Sequence, residues 1–413
     1  MFCWLFLAKA DAPFLTEDKL ITVVKECKET GCWSHLIREI GSIFNNPDSL
    51  VKSFRKVAES KEEIRAMEVD PDKDTDDVEE DESEENEKET ANNVKDDELT
   101  LDVDGLRRAY KEMFSVDDPP FQSALINALM YLSRDLDMEM KYHKPYERDP
   151  NFLNIVMIVF EIPHIFYPEY LDTATAAFCK VAGQLPLAAQ AKLVRVWTTF
   201  SREWLKDMLH GLQQLITVKC ITTEWSRDYI VNAESSITGA ATLIKLIYYV
   251  CLLKGQHDPA PVIEAEQLLS AEMEANISQL YQSAGGRDKE RLQPRQEPLA
   301  QELNIDPLNC RSPLIEWEDF INEPLSDAIE MDKDYTNYKA EKPDRFTFMT
   351  HPFMLTTAAK HMGLYFDNRI RMLEERRSSF LQSFMHGSMS MPHFRLRIRR
   401  DHIIDDALVN VRI

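Results

Sequence analysis

A cysteine attacks as its thiolate, so the seven cysteines are the first residues to weigh: Cys3, Cys27, Cys32, Cys179, Cys220, Cys251 and Cys310. A nucleophilic thiol needs a cation or a helix N-terminus beside it, whereas a structural thiol sits inside an apolar pattern. Each of these cysteines lies in or beside a helical apolar pattern, so burial is the expectation. Their number is odd, their spacings are irregular and no C-x-x-C occurs, which fits reduced thiols of the cytosol or nucleus. Cys27 and Cys32 with His35 would lack a fourth ligand for zinc, so core packing is expected there and no metal site. Asp401-His402 followed by Asp405-Asp406 has the residue types of an acid/base pair. Acidic residues at a helix start cap and solvate it, and that is the expected role. No glycine-rich phosphate loop, H-E-x-x-H or G-x-S-x-G is present, and no catalytic residue and no cofactor are expected in this chain.

The elements that would carry these residues are mostly helices. The chain has 413 residues with only 11 glycines and 20 prolines. Thr16 is placed to cap a helix through Cys27, with Leu20, Ile21, Val24 and Cys27 on one face. Ser34–Phe44 is a second helix. Asn45-Asn46-Pro47-Asp48 is a turn that starts a third, continued by Val51, Phe54 and Val57. The pattern resumes at Leu99, with stripes through Leu106, Tyr110, Met113 and Phe114 and then Phe121, Leu125, Leu129 and Leu132. Asp149-Pro150 precedes an apolar segment, Phe152–Phe160. Pro168, Pro186 and Ser201 mark starts of the helices Glu169–Val181, Leu187–Phe200 and Arg202–Lys219, and Glu234–Leu253 follows. His351-Pro352 is expected to open a long helix over Phe353–Met385, ended by Gly387. Phe394, Leu396 and Ile398 alternate with Arg395, Arg397 and Arg399, a strand pattern, and Asp401 is expected to cap a following helix carrying Ile403, Ile404, Ala407 and Leu408. The fold class is mostly α: a multi-helical array with a flexible acidic linker and an orphan strand-helix at the C-terminus. The expected segments are an atypical N-terminus at 1–13, a small helical unit at 14–67, the linker at 68–98 and the array at 99–254. A loop-rich insertion with a short amphipathic helix follows at 255–312, then a helical segment at 313–390 and the start of a further domain at 391–413.

Charge narrows the partners. The net charge is −23, and residues 68–98 hold 17 Asp or Glu against 3 Lys. Such a run repels itself and buries nothing, so a solvated linker is expected. Residues 345–413 carry 11 Arg or Lys against 6 acids. The Arg395, Arg397, Arg399 and Arg400 ridge lacks interleaved aromatics in an acidic chain, so no nucleic-acid partner is expected. Ala240–Leu253 is apolar but interrupted by Lys245 and short of the roughly 20 residues that span a bilayer, so it is a core helix and no membrane partner is expected. The apolar Met1–Ala8 stretch has no basic flank and does not read as a signal peptide.

Several longer strings resemble the HECT-type ubiquitin ligases, in the branch associated with Angelman syndrome and the papillomavirus oncoprotein. They are Arg148-Asp-Pro-Asn151, Leu185-Pro-Leu-Ala-Ala-Gln190, Gln213-Gln-Leu-Ile-Thr217, Phe320-Ile-Asn-Glu-Pro-Leu325, Glu330-Met-Asp-Lys-Asp-Tyr-Thr336, Asp367-Asn-Arg-Ile-Arg-Met372 and Arg399-Arg-Asp-His-Ile-Ile-Asp-Asp-Ala-Leu-Val409. The resemblance spans roughly residues 14–409. It implies a region N-terminal to the HECT domain, with Arg399, Arg400, Asp401, His402, Asp405 and Asp406 as the motif at the HECT entrance. In that family a cysteine near the C-terminus takes ubiquitin from a conjugating enzyme as a thioester and passes it to a substrate lysine. None of the seven cysteines matches that position, and the family's N-terminal zinc domain has no counterpart here. Both ends are therefore expected to be those of a truncated isoform or partial gene model. The family's L-x-x-L-L partner element has its nearest match at Ala265, Leu268 and Leu269. The alanine forfeits about 2 kcal/mol of apolar burial, so a surface helix is expected rather than an oncoprotein site.

The resemblance implies a substrate- and regulator-binding region that works in protein ubiquitination and proteasomal degradation, in the cytoplasm and nucleus. Its implied partners are protein substrates and regulators, with proteasome components among them, and the ubiquitin-conjugating enzyme only together with a HECT domain. Taken alone, the chain is expected to be inactive in ubiquitin transfer. The alternative is a non-catalytic helical scaffold that binds the ligase's partners in competition with it.

Overall fold

The computed structural model describes residues 12–56, 99–116, 118–223, 230–257, 297–305, 307, 310–340, 345–386 and 399–402. The acidic run, the stretch holding Ala265, Leu268 and Leu269, the alternation at 394–398 and Asp405 and Asp406 lie outside these residues. The chain divides into two compact units, Met1–Ala328 and Ile329–Ile413. Among the described residues the fold is a multi-helical array, mostly α as the apolar periodicity predicts.

In the first unit, α1 (Glu17–Thr30) starts where Thr16 Oγ1 accepts from the Lys19 amide, and ends at Gly31 in the left-handed region, φ +68°. Glycine is suited to that C-terminal position because a side chain there would be strained. Helix α2 covers Ser34–Ile43 and α3 covers Pro47–Lys52, whose start is capped by Asn46 Oδ1 from two amides. Here the expectation of a longer third helix fails. Phe54 turns at φ +53°, its amide donates to Leu15 O, and Arg55 pairs with Leu101 as an isolated antiparallel bridge. The apolar Val51 and Phe54 are buried, but from opposite sides of a chain reversal that periodicity alone reads as one helix.

Helix α4 (Val103–Met113) is capped by Asp102 and packs on α1; α5 (Gln122–Tyr142) packs on α2. The described parts of the expected units 14–67 and 99–254 therefore share one core. A 3-10 turn at Pro150–Leu153 leads into α6 (Asn154–Phe160), every residue of which is buried. Pro168–Tyr170 passes through a π-turn, Leu171–Thr175, into α7 (Ala176–Ala182). Helices α8 (Leu187–Trp197), α9 (Arg202–Thr222) and α10 (Ser235–Lys254) complete the array. Ser201 Oγ accepts from the Trp204 amide at 3.2 Å, the cap its position predicts.

Helix α10 is the centre. By length and composition it could cross a membrane, yet 72% of its most apolar window is buried within the protein. It packs on α7, α8 and α9. Its approach to α7 is close: a Cβ on Gly239 would lie 2.2 Å from Cys179 O, and one on Gly183 2.5 Å from the Gly239 Cα. The one cation predicted within it, Lys245, pairs with Glu297, which caps α11 (Pro298–Leu303). Beyond α10, β1 (Gln256–His257) pairs antiparallel with β2 (Cys310–Ser312), and α12 (Glu323–Ala328) closes on α9.

The second unit holds α13 (Met331–Lys339) and α14 (Thr357–His386). The long helix does not open at His351-Pro352. Two 3-10 turns, Phe348–Thr350 and Pro352–Met354, come first, and Leu355 is extended. Thr356 Oγ1 then accepts from the Ala359 amide at 3.3 Å. Buried Asp334, on α13, holds the turns by accepting from the Phe348 and Met349 amides at 3.1 and 3.2 Å and from Thr347 Oγ1 at 3.0 Å. Of the apolar residues in this stretch, Leu355 and Ala359 are buried, while Met362, Tyr365, Leu373 and Phe380 are exposed.

Candidate functional site

Helix α4 and the Glu161–Tyr167 turn after α6 frame a shallow open groove. Its lining is Arg107, Tyr110, Lys111, Phe114, Ser115, Glu161, Pro163 and His164. The helix that buries Tyr110 places Arg107 and Phe114 one turn away on either side of it, with Lys111 next in sequence. Tyr110 Oη donates to Ile158 O at 3.0 Å, and burial pushes its phenol well up from its ordinary value. Arg107 holds Glu161 through two bonds of 2.8 and 2.7 Å, and its guanidinium lies 5.0 Å over the Phe200 ring. The Glu161 side chain is only 5% exposed, so this cation is what makes the buried carboxylate tolerable.

The groove floor is aromatic. Phe114 meets His164 edge-on at 4.8 Å, and His164 stacks on Tyr167 at 4.5 Å. Burial moves the His164 imidazole down, against the opposing charge of Glu169. Lys111 and Ser115 stand exposed at the rim. This arrangement can receive an apolar or aromatic side chain and hold a neighbouring carboxylate. Its lining contains no thiol and no paired carboxylates. The sequence reading missed it because His164 and Phe114 are brought together only by the turn after α6.

Burial disfavours thiol chemistry at five of the six described cysteines. Cys27, Cys179, Cys220, Cys251 and Cys310 are buried. Burial pushes the Cys220 and Cys251 thiols up to about 12, and Cys179 further. Cys32 departs from the expectation of burial: it is exposed, and hydrogen bonds from Ser34 lower its thiol. Among the described residues no group of three His, Cys, Asp or Glu is arranged to hold a metal ion.

The motif proposed for the HECT entrance is described only at Arg399, Arg400, Asp401 and His402. Arg400–His402 form one 3-10 turn, with the His402 amide donating to Arg399 O at 3.1 Å, and all four residues are exposed. Asp401 is the middle residue of that turn, and the helix expected after it, with Ile403, Ile404, Ala407 and Leu408, lies outside the described residues.

Of the other six strings that resemble the ligase family, four meet as two pairs and two are tied within themselves. Gln213 and Thr217 on α9 accept from Asn322 Nδ2 at 2.7 and 3.0 Å. Gln213 Nε2 returns a bond to Phe320 O at 2.7 Å. Within 185–190, Gln190 Nε2 donates to Leu185 O at 2.7 Å, and within 148–151, Asp149 Oδ1 accepts from the Asn151 amide at 2.8 Å. In the second unit, Tyr335 donates to Asp367, which also pairs with Arg371 at 2.8 Å. These strings are joints between helices and turns.

No family model matches the chain. Over 99 residues, 23% of its length, it is 28% identical to a protein of Pongo abelii named probable E3 ubiquitin-protein ligase HECTD2. The protein of that name from Mus musculus is 28% identical over 100 residues, and that from Homo sapiens 27% identical over 99. The match covers 13% of the length of each of these relatives. Over that stretch, the chain is similar to a region of a HECT-type ubiquitin ligase.

Proposed function

We propose that this chain is a substrate- and regulator-binding helical region of a HECT-type ubiquitin ligase, of the branch associated with Angelman syndrome and the papillomavirus oncoprotein. It binds proteins of the ubiquitin–proteasome pathway in the cytoplasm and nucleus, and its own cysteines do not carry ubiquitin. The observation that supports this best is the pairing of resembling strings. Residues 213–217 and 320–325 are far apart in sequence yet form one hydrogen-bonded joint, as strings inherited together for a common fold would. The buried, proton-holding thiols support the non-carrier role, because the thiolate is the nucleophile.

The experiment is incubation of the full chain with activating enzyme, conjugating enzyme and ubiquitin. No thiol-sensitive ubiquitin adduct is expected, and such an adduct would overturn the non-carrier reading. In parallel, immobilised chain is expected to retain proteasome components or ligase substrates, and the double variant Phe114→Ala/His164→Ala to lose them while keeping its helical spectrum. Failure of the folded wild-type chain to bind any of them sinks the binding role.

A second reading, a self-standing scaffold that competes with the ligase, draws support from the closed core around α10, which needs no further domain to bury that helix. Adding the chain to a complete ligase reaction discriminates: slowed substrate ubiquitination favours competition, and an unchanged rate argues against it.

A further inference from the structure

Helix α14 is much longer than the helix that covers it. Its 30 residues extend about 45 Å, against about 14 Å for the 9 of α13. The covered seam runs through Ala359, Gly363, Phe366 and Ile370. Gly363 faces Met349 and Met331, and Phe366 stacks near Tyr335 at 6.4 Å. The steps of four, three and four are those of a heptad seam, and in sequence they continue through Leu373, Arg377, Phe380 and Phe384. Yet Leu373 and Phe380 are 54% and 72% exposed, and Leu381 beside them is 52% exposed.

The charges flanking this seam say what fits it. Arg369 and Arg376 lie on one flank, at the g positions; Asp367 and Glu374 lie on the other, at e. Asp367 pairs with Tyr335, Lys339 and Arg371 within the unit, and Arg369 donates to Tyr365 Oη at 3.0 Å. In a parallel pair of such helices, each g residue faces the e residue five positions on in the partner, so Arg369 meets Glu374 of the second copy twice by symmetry. An antiparallel pair would instead oppose g to g and e to e, setting arginines against arginines. Arg377 occupies one seam position, where a long cation reaches out past the apolar contact and favours two strands over three at some cost in stability. The helix is already anchored by α13, so pairing does not have to nucleate it.

We propose that the C-terminal half of α14 is a self-association surface, pairing in parallel with the same helix of a second copy through Leu373 and Phe380, with Arg369 and Glu374 crossing between chains. Sedimentation velocity of the full chain over a concentration series tests it, with circular dichroism to verify folding. The wild-type mass is expected to double as concentration rises. Leu373→Glu/Phe380→Glu should remain monomeric throughout. Glu374→Arg should weaken association about tenfold, since two attractive pairs become repulsive. Arg369→Glu combined with Glu374→Arg should restore it, because the swap regenerates the crossing pairs in a parallel dimer alone. A wild-type chain that stays monomeric, a dimer indifferent to Leu373 and Phe380, or a swap that fails to restore pairing each overturns the proposal.

Discussion

Asn322 Nδ2 donates to Gln213 Oε1 at 2.7 Å, joining the turn before α12 to the middle of α9. The same side chain accepts from the Leu325 amide at 2.8 Å, so one amide both caps α12 and latches it down. Asn322 is 4% exposed, and no water can replace these bonds freely. Asn322→Ala should cost about 2 kcal/mol, because the Leu325 donor and the Gln213 acceptor are left unpaired. Asn322→Asp should cost more, since its carboxylate would face Gln213 Oε1 and Thr217 Oγ1 with no amide hydrogens to give. Urea unfolding followed by circular dichroism measures both. Limited proteolysis should show first cleavage moving into 313–328.

Devices that act within a few residues were legible in the sequence. Thr16 and Ser201 cap helices because a hydroxyl reaches an amide three positions on, and apolar stripes mark α4, α5 and α9 because helical periodicity is local. Contacts made at a distance were not. Nothing near Asp334 announces that it will hold amides at 348 and 349, and nothing near Phe54 announces a left-handed turn and a bridge to Leu101. Periodicity also says which side of α14 is apolar without saying where its cover stops. The groove at His164 was invisible for the same reason: its aromatic floor is assembled by a turn, from elements some 50 positions apart.

Gly239 and Gly183 let α10 and α7 touch backbone to backbone. Gly239→Ala would push a methyl into the Cys179 carbonyl, a backbone atom that cannot swing aside. The helices would have to separate, at a cost of about 3 kcal/mol despite alanine's better helix propensity. Gly41→Ala is the control, since no atom lies within 4 Å of the added carbon. Thermal unfolding should show a large drop for Gly239→Ala and none, or a small rise, for Gly41→Ala.

Asp367 gives the second unit an acid limit. Burial alone would raise its carboxyl, but hydrogen bonds from Tyr335 and Lys339 and the charges of Lys339 and Arg371 outweigh that and hold it below its ordinary value. A carboxyl lowered by folding contributes stability that is present above its unfolded value, near 4, and is lost as pH falls through the folded one. Amide exchange in α13 should therefore quicken as pH drops below about 4, after correction for the intrinsic rate. Asp367→Asn should exchange faster than wild type at pH 7 and show little further loss in the acid window.

Cys32 follows α1 at the surface, where Ser34 lowers its thiol, whereas Cys220 and Cys251 are buried and pushed up to about 12. Reactivity tracks thiolate fraction and access together, and both favour Cys32. Brief maleimide treatment of the native chain at pH 7, read by peptide mass spectrometry, should modify Cys32 and leave Cys27, Cys179, Cys220 and Cys251 intact. Those four should label only when denaturant opens the core, and together rather than singly, because α1, α7, α9 and α10 belong to one packed unit. Cys32→Ser should abolish the fast phase at that position without changing the denaturant midpoint. Early labelling of Cys220 would mean that the C-terminal turn of α9 opens independently of the core.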